Sequence, residues 1–163
     1  MLYYLEAGIS PYEVPDKITL LIFICGCTNN CLDCHYPDLK KFDNGISLSD
    51  NFKNLVDVYL NYISCICFLG EGDLSSDNEN EFNQLCSYAK SKNLYTCLYS
   101  GRDCQIEMWM NCFDYIKIGS YRKENGPLNS KNTNQRFYRK IDNIYRDITS
   151  MFWNWCYNHM DNS

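Results

Sequence analysis

Four thiols fall within ten residues in the stretch Cys25 to Pro37, "CGCTNNCLDCHYP", directly after the apolar run "ITLLIFI". Thiolates hold metals, attack electrophiles and exchange disulfides, so the stretch could be a structural metal knot, a redox dithiol or the cradle of a reactive cluster. Cys27, Cys31 and Cys34 are spaced C-x3-C-x2-C. A zinc ribbon would want two paired sets, and a bacterial ferredoxin repeats C-x2-C with a fourth cysteine close by. Three thiolates on a [4Fe–4S] cube would leave one iron without a protein ligand, and an open coordination position is a catalytic feature. Cys25 could replace Cys27 in an alternative set or act as a fourth ligand, but it continues the pattern of the apolar run, which points to a buried role. His35 could ligate metal, face a bound cofactor or partner, or simply belong to the surface of the loop.

The elements that must position these thiols read as alternating strands and helices. Residues 17–25 form a buried strand, too short for a helix and rich in Ile and Leu; residues 64–69, 94–99 and 114–118 are expected to be further strands. Phe52, Leu55, Val56, Tyr59, Leu60 and Ile63 recur at helical spacing, with Ser49 as the expected N-cap. A second helix is expected from Ser76, opening on a capping box and burying Phe82, Leu85, Cys86 and Ala89. Residues 103–111 give a shorter helical pattern. Near the end, Asp142-Asn143 marks a hairpin, and Thr149 or Ser150 would cap a last helix with Phe152, Trp155 and Cys156 on one face. Residues 119–136 form the one long irregular stretch.

Strands alternating with helices imply parallel pairing through right-handed crossovers, with chemistry at the carboxyl ends of the strands. The cysteine loop follows the first strand, "GEGD" (Gly70–Asp73) the second, "YSGRD" (Tyr99–Asp103) the third and "GSYRKENGP" the fourth. All four are expected on one rim. Composition bounds the rest. The 163 residues suit one domain; an apolar content of 45% argues against disorder, and the net charge of −5 argues against a nucleic-acid binder. No apolar run reaches a membrane span and the amino terminus does not read as a secretory signal, so a cytoplasmic protein is expected. Eleven cysteines in a reducing compartment are not a disulfide framework. Cys65, Cys67, Cys86 and Cys97 sit in apolar patterns and read as small buried hydrophobes.

The spacing of Cys27, Cys31 and Cys34 resembles the radical S-adenosylmethionine superfamily, and "GEGD" is similar to that superfamily's "GGE" or "GGD" motif, with Glu71 interrupting the double glycine. Within it, the chain resembles the family of activating proteins of anaerobic ribonucleoside-triphosphate reductase. "GCTNNCLDCHYP", "LYTCLYSGRD" and "GPLNSKNTNQRFY" carry this resemblance over roughly residues 8–150, together with the short length. Asp33 stands before the last cysteine, where many radical enzymes carry an aromatic residue.

The resemblance implies a single radical S-adenosylmethionine domain over 1–163, with the cluster loop at 25–37 and a carboxyl-terminal hairpin and helix at about 137–160. It implies an α/β fold, a partial, open (β/α) barrel with a mostly parallel sheet. Cys27, Cys31 and Cys34 would hold a [4Fe–4S] cluster with one open iron, and Asp33, His35, Gly70, Glu71, Gly72, Asp73, Ser100 and Arg136 would contact S-adenosylmethionine. The activity implied is an oxidoreductase that generates a glycyl radical on a partner enzyme, anaerobic ribonucleotide reductase, fed by a reduced flavodoxin- or ferredoxin-type donor. Lys117, Arg122, Lys123, Lys131, Arg136, Arg139 and Lys140 read either as a solvated basic loop or as functional groups, with Arg136 positioning cofactor or partner and the rest forming a docking patch for an acidic surface. The alternatives are a radical enzyme acting on another glycyl-radical partner or a small molecule, and a non-catalytic iron–sulfur or zinc module.

Overall fold

The computed structural model describes residues 1–29, 31, 32, 34, 36–41 and 45–153. Its frame is an eight-stranded mixed sheet. In chain order the strands are β1 (Tyr3–Ser10), β2 (Thr19–Ile24), β3 (Ile46–Ser47), β4 (Cys65–Leu69), β5 (Tyr95–Tyr99), β6 (Tyr115–Ile118), β7 (Arg136–Ile141) and β8 (Ile144–Asp147). Helix α1 (Leu48–Tyr59) precedes β4 and helix α2 (Ser76–Ser91) joins β4 to β5. Spatial order is β3-β1-β2-β4-β5-β6-β7-β8.

The four expected strands are β2, β4, β5 and β6, and they pair in parallel in sequence order. The expectation of a mostly parallel sheet needs correction. The β3–β1, β1–β2, β6–β7 and β7–β8 pairings are all antiparallel, and they outnumber the three parallel ones. Strand β1 has no strict apolar alternation to announce it; its residues are half-buried or exposed along its length. It is held between β2 and the two-residue β3, with Tyr4 and Ala7 partly buried against the core.

Each face of the sheet has its own core. On one face α1, α2 and a 3-10 turn (Met108–Cys112) cover Leu20, Ile22, Ile24, Ile66, Phe68, Leu98 and Ile116. Phe68 sits at its centre, within ring contact of Phe52, Phe82 and Phe113. On the other face Val14, Leu21, Cys65, Cys67, Cys97, Tyr115, Phe137 and Phe152 pack together. Cys65, Cys67, Cys86 and Cys97 are all fully buried, as their apolar settings suggested.

Local starts and stops differ from expectation by small shifts. Helix α1 begins at Leu48, so Ser49 lies inside it and Ser47 takes the cap position. Helix α2 is capped by Ser75, whose hydroxyl accepts a bond from the Asn78 amide at 3.3 Å, so Ser76 is its first residue rather than its cap. The pattern at 103–111 yields only the 3-10 turn, one residue beyond its expected end. Asp142 and Asn143 both have positive φ, 51° and 60°, the geometry of a tight two-residue hairpin between β7 and β8. The final helix is described over 150–153; Trp155 and Cys156 lie outside the described residues. Among the described residues no helix is long and apolar enough to cross a membrane.

Candidate functional site

The carboxyl ends of β2, β4, β5 and β6 bring the four loops to one rim. The cysteine loop leaves β2 at Cys25 and is closed at its base by a second 3-10 turn (Pro37–Lys40): the amides of Gly26 and Cys27 both donate to the Leu39 carbonyl, at 2.6 and 3.1 Å. Between these anchors Cys27, Cys31 and Cys34 are half-buried and free of disulfides. Burial pushes the Cys27 thiol up, and the charges of Cys34 and Cys31 push it the same way, so the three sulfurs are electrostatic neighbours. Cys25 is different. It is 1% exposed, its amide donates to Tyr3, and burial raises its thiol. It belongs to the frame that presents the loop.

Neighbouring loops pack directly on this one. A Cβ at Gly101 would meet the Asn29 amide nitrogen at 2.6 Å, and one at Gly70 would meet the Ile24 carbonyl oxygen at 3.3 Å. Gly70, with φ at +113°, lets its backbone approach the β2 carbonyl so closely, whereas a side chain at Gly101 would displace only the end of Asn29.

The polar side chains of "GEGD" are already committed. Glu71 is buried and takes two bonds from Arg102, Nε to Oε2 and Nη2 to Oε1, both 2.9 Å. Arg102 also holds Glu107 through two bonds of 2.9 Å, and the Trp109 indole donates to Glu107 at 2.6 Å. Asp73 Oδ1 accepts from the Ser75 amide at 3.0 Å and from Asn78 at 2.6 Å; the bonds from Ser75 hold its carboxyl below the usual range. Ser100 is fully buried, and its hydroxyl accepts from the Arg102 amide. What this segment can offer a ligand is its backbone.

Arg136 stands apart. Its register partner is Ile118, whose side chain packs on the helix side of the sheet, whereas Lys117 and Phe137 share the opposite face. With Ile118 on the helix side, Arg136 borders a cavity of about 520 Å³ with Asp103, Cys104, Asn134 and Tyr138. It lies 3.8 Å from Asp147. The structure does not bring it to the face that carries the cysteines' neighbours. Asp33 and His35 lie outside the described residues.

The residue that sequence reasoning misplaced is Lys117. It reads as part of a basic loop, but it is 8% exposed, on the same face as Tyr99 and Phe137. Phe23, Leu69, Tyr99 and Lys117 are consecutive register partners and form one row across the ends of β2, β4, β5 and β6. The ammonium donates to the Gly119 carbonyl at 2.7 Å and stands 5.7 Å from the Tyr99 ring centroid. Burial pushes its pKa down to about 8, against the opposing pull of Cys31, Asp103, Cys67 and Glu71. The signal was available: a lysine between two isoleucines in a strand expected to be covered on both faces. Of the other basic residues, Arg122 pairs with Asp103 at 2.9 Å, Arg139 lies over Tyr115, and Lys140 donates to the Asn111 carbonyl. Lys123 and Lys131 are exposed.

Compared with known protein families and with curated proteins, the chain matches no family model and no curated protein. Among the described residues no group of three or more His, Cys, Asp or Glu side chains is drawn together to hold a single metal ion. The donor set nonetheless suits an iron–sulfur cube, whose corners are spread wider than one ion: three accessible thiols on one loop, fixed at its base and unpaired in disulfides. The row from Phe23 to Lys117 adds an apolar floor ending in a buried cation, which suits an anionic group on a largely apolar ligand.

Proposed function

We propose that the chain is a radical S-adenosylmethionine enzyme that generates a glycyl radical on a protein partner, with anaerobic ribonucleotide reductase as that partner. The observation that carries this reading is the juxtaposition of three free thiols on the β2 loop with the buried Lys117 ammonium at the end of β6. Cys27, Cys31 and Cys34 would hold the [4Fe–4S] cluster. When bound, such a cluster supplies the electron that cleaves S-adenosylmethionine and so starts hydrogen abstraction from a partner glycine.

The chain's own residues then have defined work. Lys117 would hold the methionine carboxylate, and that anion would restore the charge that burial weakens. The Gly70–Gly72 backbone would receive the ammonium, while Glu71 and Arg102 keep that backbone in place. Phe23, Leu69 and Tyr99 would exclude water from the reacting region. In this reading β2, β4, β5 and β6 are the parallel part of a partial barrel, open on the face of Lys117 for a glycine loop to enter.

The test is anaerobic reconstitution with iron and sulfide. The expected protein is brown, carries about four iron atoms per chain, and releases 5′-deoxyadenosine from S-adenosylmethionine on reduction by a flavodoxin- or ferredoxin-type donor. With the reductase partner present, a glycyl doublet should appear in the EPR spectrum. A colourless protein, or a cluster inert toward S-adenosylmethionine, overturns the reading.

A further inference from the structure

Gln135, beside β7, is 5% exposed, yet among the described residues its carboxamide neither gives nor takes a hydrogen bond. Only its backbone is tied, the amide donating to Thr133 Oγ1 at 3.1 Å. A buried carboxamide left without partners costs stability, and nearly all such groups in folded chains are satisfied. Unlike the enclosed carboxamide oxygen of Asn134, the Gln135 amide group keeps a small contact with solvent, so a ligand can reach it.

The β6–β7 pairing sets where this group stands. Lys117 and Phe137 are register partners, and Phe137 packs on Tyr99 on the face away from the helices. Gln135 comes two residues before Phe137, so strand alternation puts it on that same face, whereas its neighbours Asn134 and Arg136 border the cavity on the helix side. Because β7 runs antiparallel to β6, those two residues carry Gln135 about 6–7 Å beyond Phe137, toward the carboxyl rim of β6. Gly119 is where the two polar groups meet. Lys117 Nζ donates to its carbonyl at 2.7 Å, and a Cβ there would strike Gln135 Cα at 3.0 Å and approach Cγ at 3.4 Å.

The two groups differ in what they can take. The ammonium, on the floor formed by Phe23, Leu69 and Tyr99, suits an anion. Gln135, one row nearer the rim, presents a donor (Nε2) and an acceptor (Oε1) side by side in one plane. In an extended chain the N–H and C=O of a single residue point the same way, as they do in the hydrogen-bonded pairs of an antiparallel ladder. A carboxamide meets both at once.

We propose that Gln135 is the positioning residue for the partner's glycine segment, its carboxamide pairing with the N–H and C=O of the glycine in an extended chain. The assignment rests on the reading of the protein as a glycyl-radical activase. Lys117 then holds the smaller ligand on the floor, and Gln135 holds the protein substrate above it, on the side from which a loop must enter. The same geometry selects glycine, because a residue without a Cβ lets its backbone come within bonding distance of a side chain rooted in the sheet.

The experiment measures, anaerobically and by fluorescence anisotropy, how tightly the reconstituted chain with S-adenosylmethionine binds a labelled peptide copying the reductase's glycine loop. A second peptide carries N-methylglycine in place of the glycine, and affinity for S-adenosylmethionine alone is measured beside both. Gln135→Met keeps the length of the side chain and removes its amide. It should bind the first peptide roughly tenfold more weakly than wild type, with the loss falling on the peptide and not on S-adenosylmethionine. N-methylation should weaken the wild type severalfold and the variant hardly at all. Because the amide has no partner within the chain, Gln135→Met should unfold at a denaturant midpoint no lower than wild type. Should the variant fail to fold, the two peptides on wild type decide. The assignment is overturned if N-methylation leaves wild-type affinity unchanged, if the variant binds the peptide as tightly as wild type, or if its midpoint falls together with its affinity for S-adenosylmethionine. A wild type that binds no S-adenosylmethionine overturns the activase reading itself, and this assignment with it.

Discussion

Arg102 grips Glu71 as a fork grips a plate, with two parallel bonds of 2.9 Å from the β5 loop to the β4 loop. Glu71 is 6% exposed and Arg102 23% exposed, so the pair is largely withdrawn from water. Truncating one partner strands the other. Arg102→Ala should destabilise the fold by about 3–5 kcal/mol, because Glu71 is left buried and uncompensated. Arg102→Ala with Glu71→Gln should recover part of that loss. Urea unfolding of the two variants measures it, and equal midpoints for wild type and Arg102→Ala would refute the structural role.

Gly72 is predicted to be intolerant of a side chain. Its φ is +67°, and a Cβ would meet Asn78 Nδ2 at 2.6 Å and Leu2 Cδ2 at 3.0 Å. Asn78 also accepts a bond from the amino terminus at 2.8 Å, so displacing it disturbs the start of β1 as well. Gly72→Ala should cost about 1–3 kcal/mol. Gly8→Ala, where nothing lies within 4 Å, is the control and should be close to neutral. Thermal unfolding of the two variants under the same conditions makes the comparison; a Gly8→Ala loss as large as that of Gly72→Ala would contradict it.

How far the sequence led can be judged from particular residues. The parallel core was legible because β2, β4 and β6 are short apolar runs set off by helical periodicity, and the hairpin because Asp142-Asn143 is a turn pair. Strand β1 was not, since it pairs antiparallel between β2 and β3 and none of its residues is fully buried. Rim chemistry was legible as a set of loops but not as side-chain roles. Glu71 and Asp73 looked like ligand groups, and only the fold reveals that Arg102, Ser75 and Asn78 already occupy them. Lys117 was misread because charge in sequence is normally solvated charge, and tertiary burial overrides that rule.

The turn itself offers a stabilising change. Asn143 holds φ at +60°, which glycine adopts without Cβ strain. Asn143→Gly should raise stability by about 0.5 kcal/mol, since Asp-Gly is a preferred pair for this hairpin. The change is seen as a small upward shift in the denaturant midpoint with an unchanged slope. A downward shift would mean that the loss of unfolded-state restriction dominates.

Burial of Lys117 makes stability depend on pH in a definite direction. Its folded pKa of about 8 lies below the ordinary 10.5, so the folded state binds fewer protons than the unfolded state between these values. Stability from this group therefore rises with pH from about 8 to 10.5, and below pH 8 the full cost of about 3 kcal/mol is present. Lys117→Met should be more stable than wild type at pH 7, by roughly 1–3 kcal/mol once its lost bond to Gly119 is deducted. The advantage should shrink toward pH 10. Taking the difference between the two proteins isolates Lys117 from the buried thiols and tyrosines, whose raised values act in the opposite sense. The same variant should lose S-adenosylmethionine cleavage if the ammonium holds a ligand carboxylate. A variant that is both less stable at pH 7 and fully active would remove Lys117 from the site.

Cys25 and the three loop cysteines should separate cleanly. Cys25 packs at the end of β2 with its backbone tied to Tyr3, while Cys27, Cys31 and Cys34 stand on the loop beyond the Leu39 anchor. Cys25→Ala removes only a small buried group, so reconstituted protein should keep its iron and lose at most about 1–2 kcal/mol of stability. Replacing Cys27, Cys31 or Cys34 by Ala should leave folding nearly unchanged, because each is half-buried, and should abolish iron retention. Iron and sulfide analysis beside unfolding curves distinguishes the two classes. Iron lost with Cys25→Ala at unchanged stability would instead make Cys25 a ligand, and the four-thiolate module would then replace the open cluster as the reading of this loop.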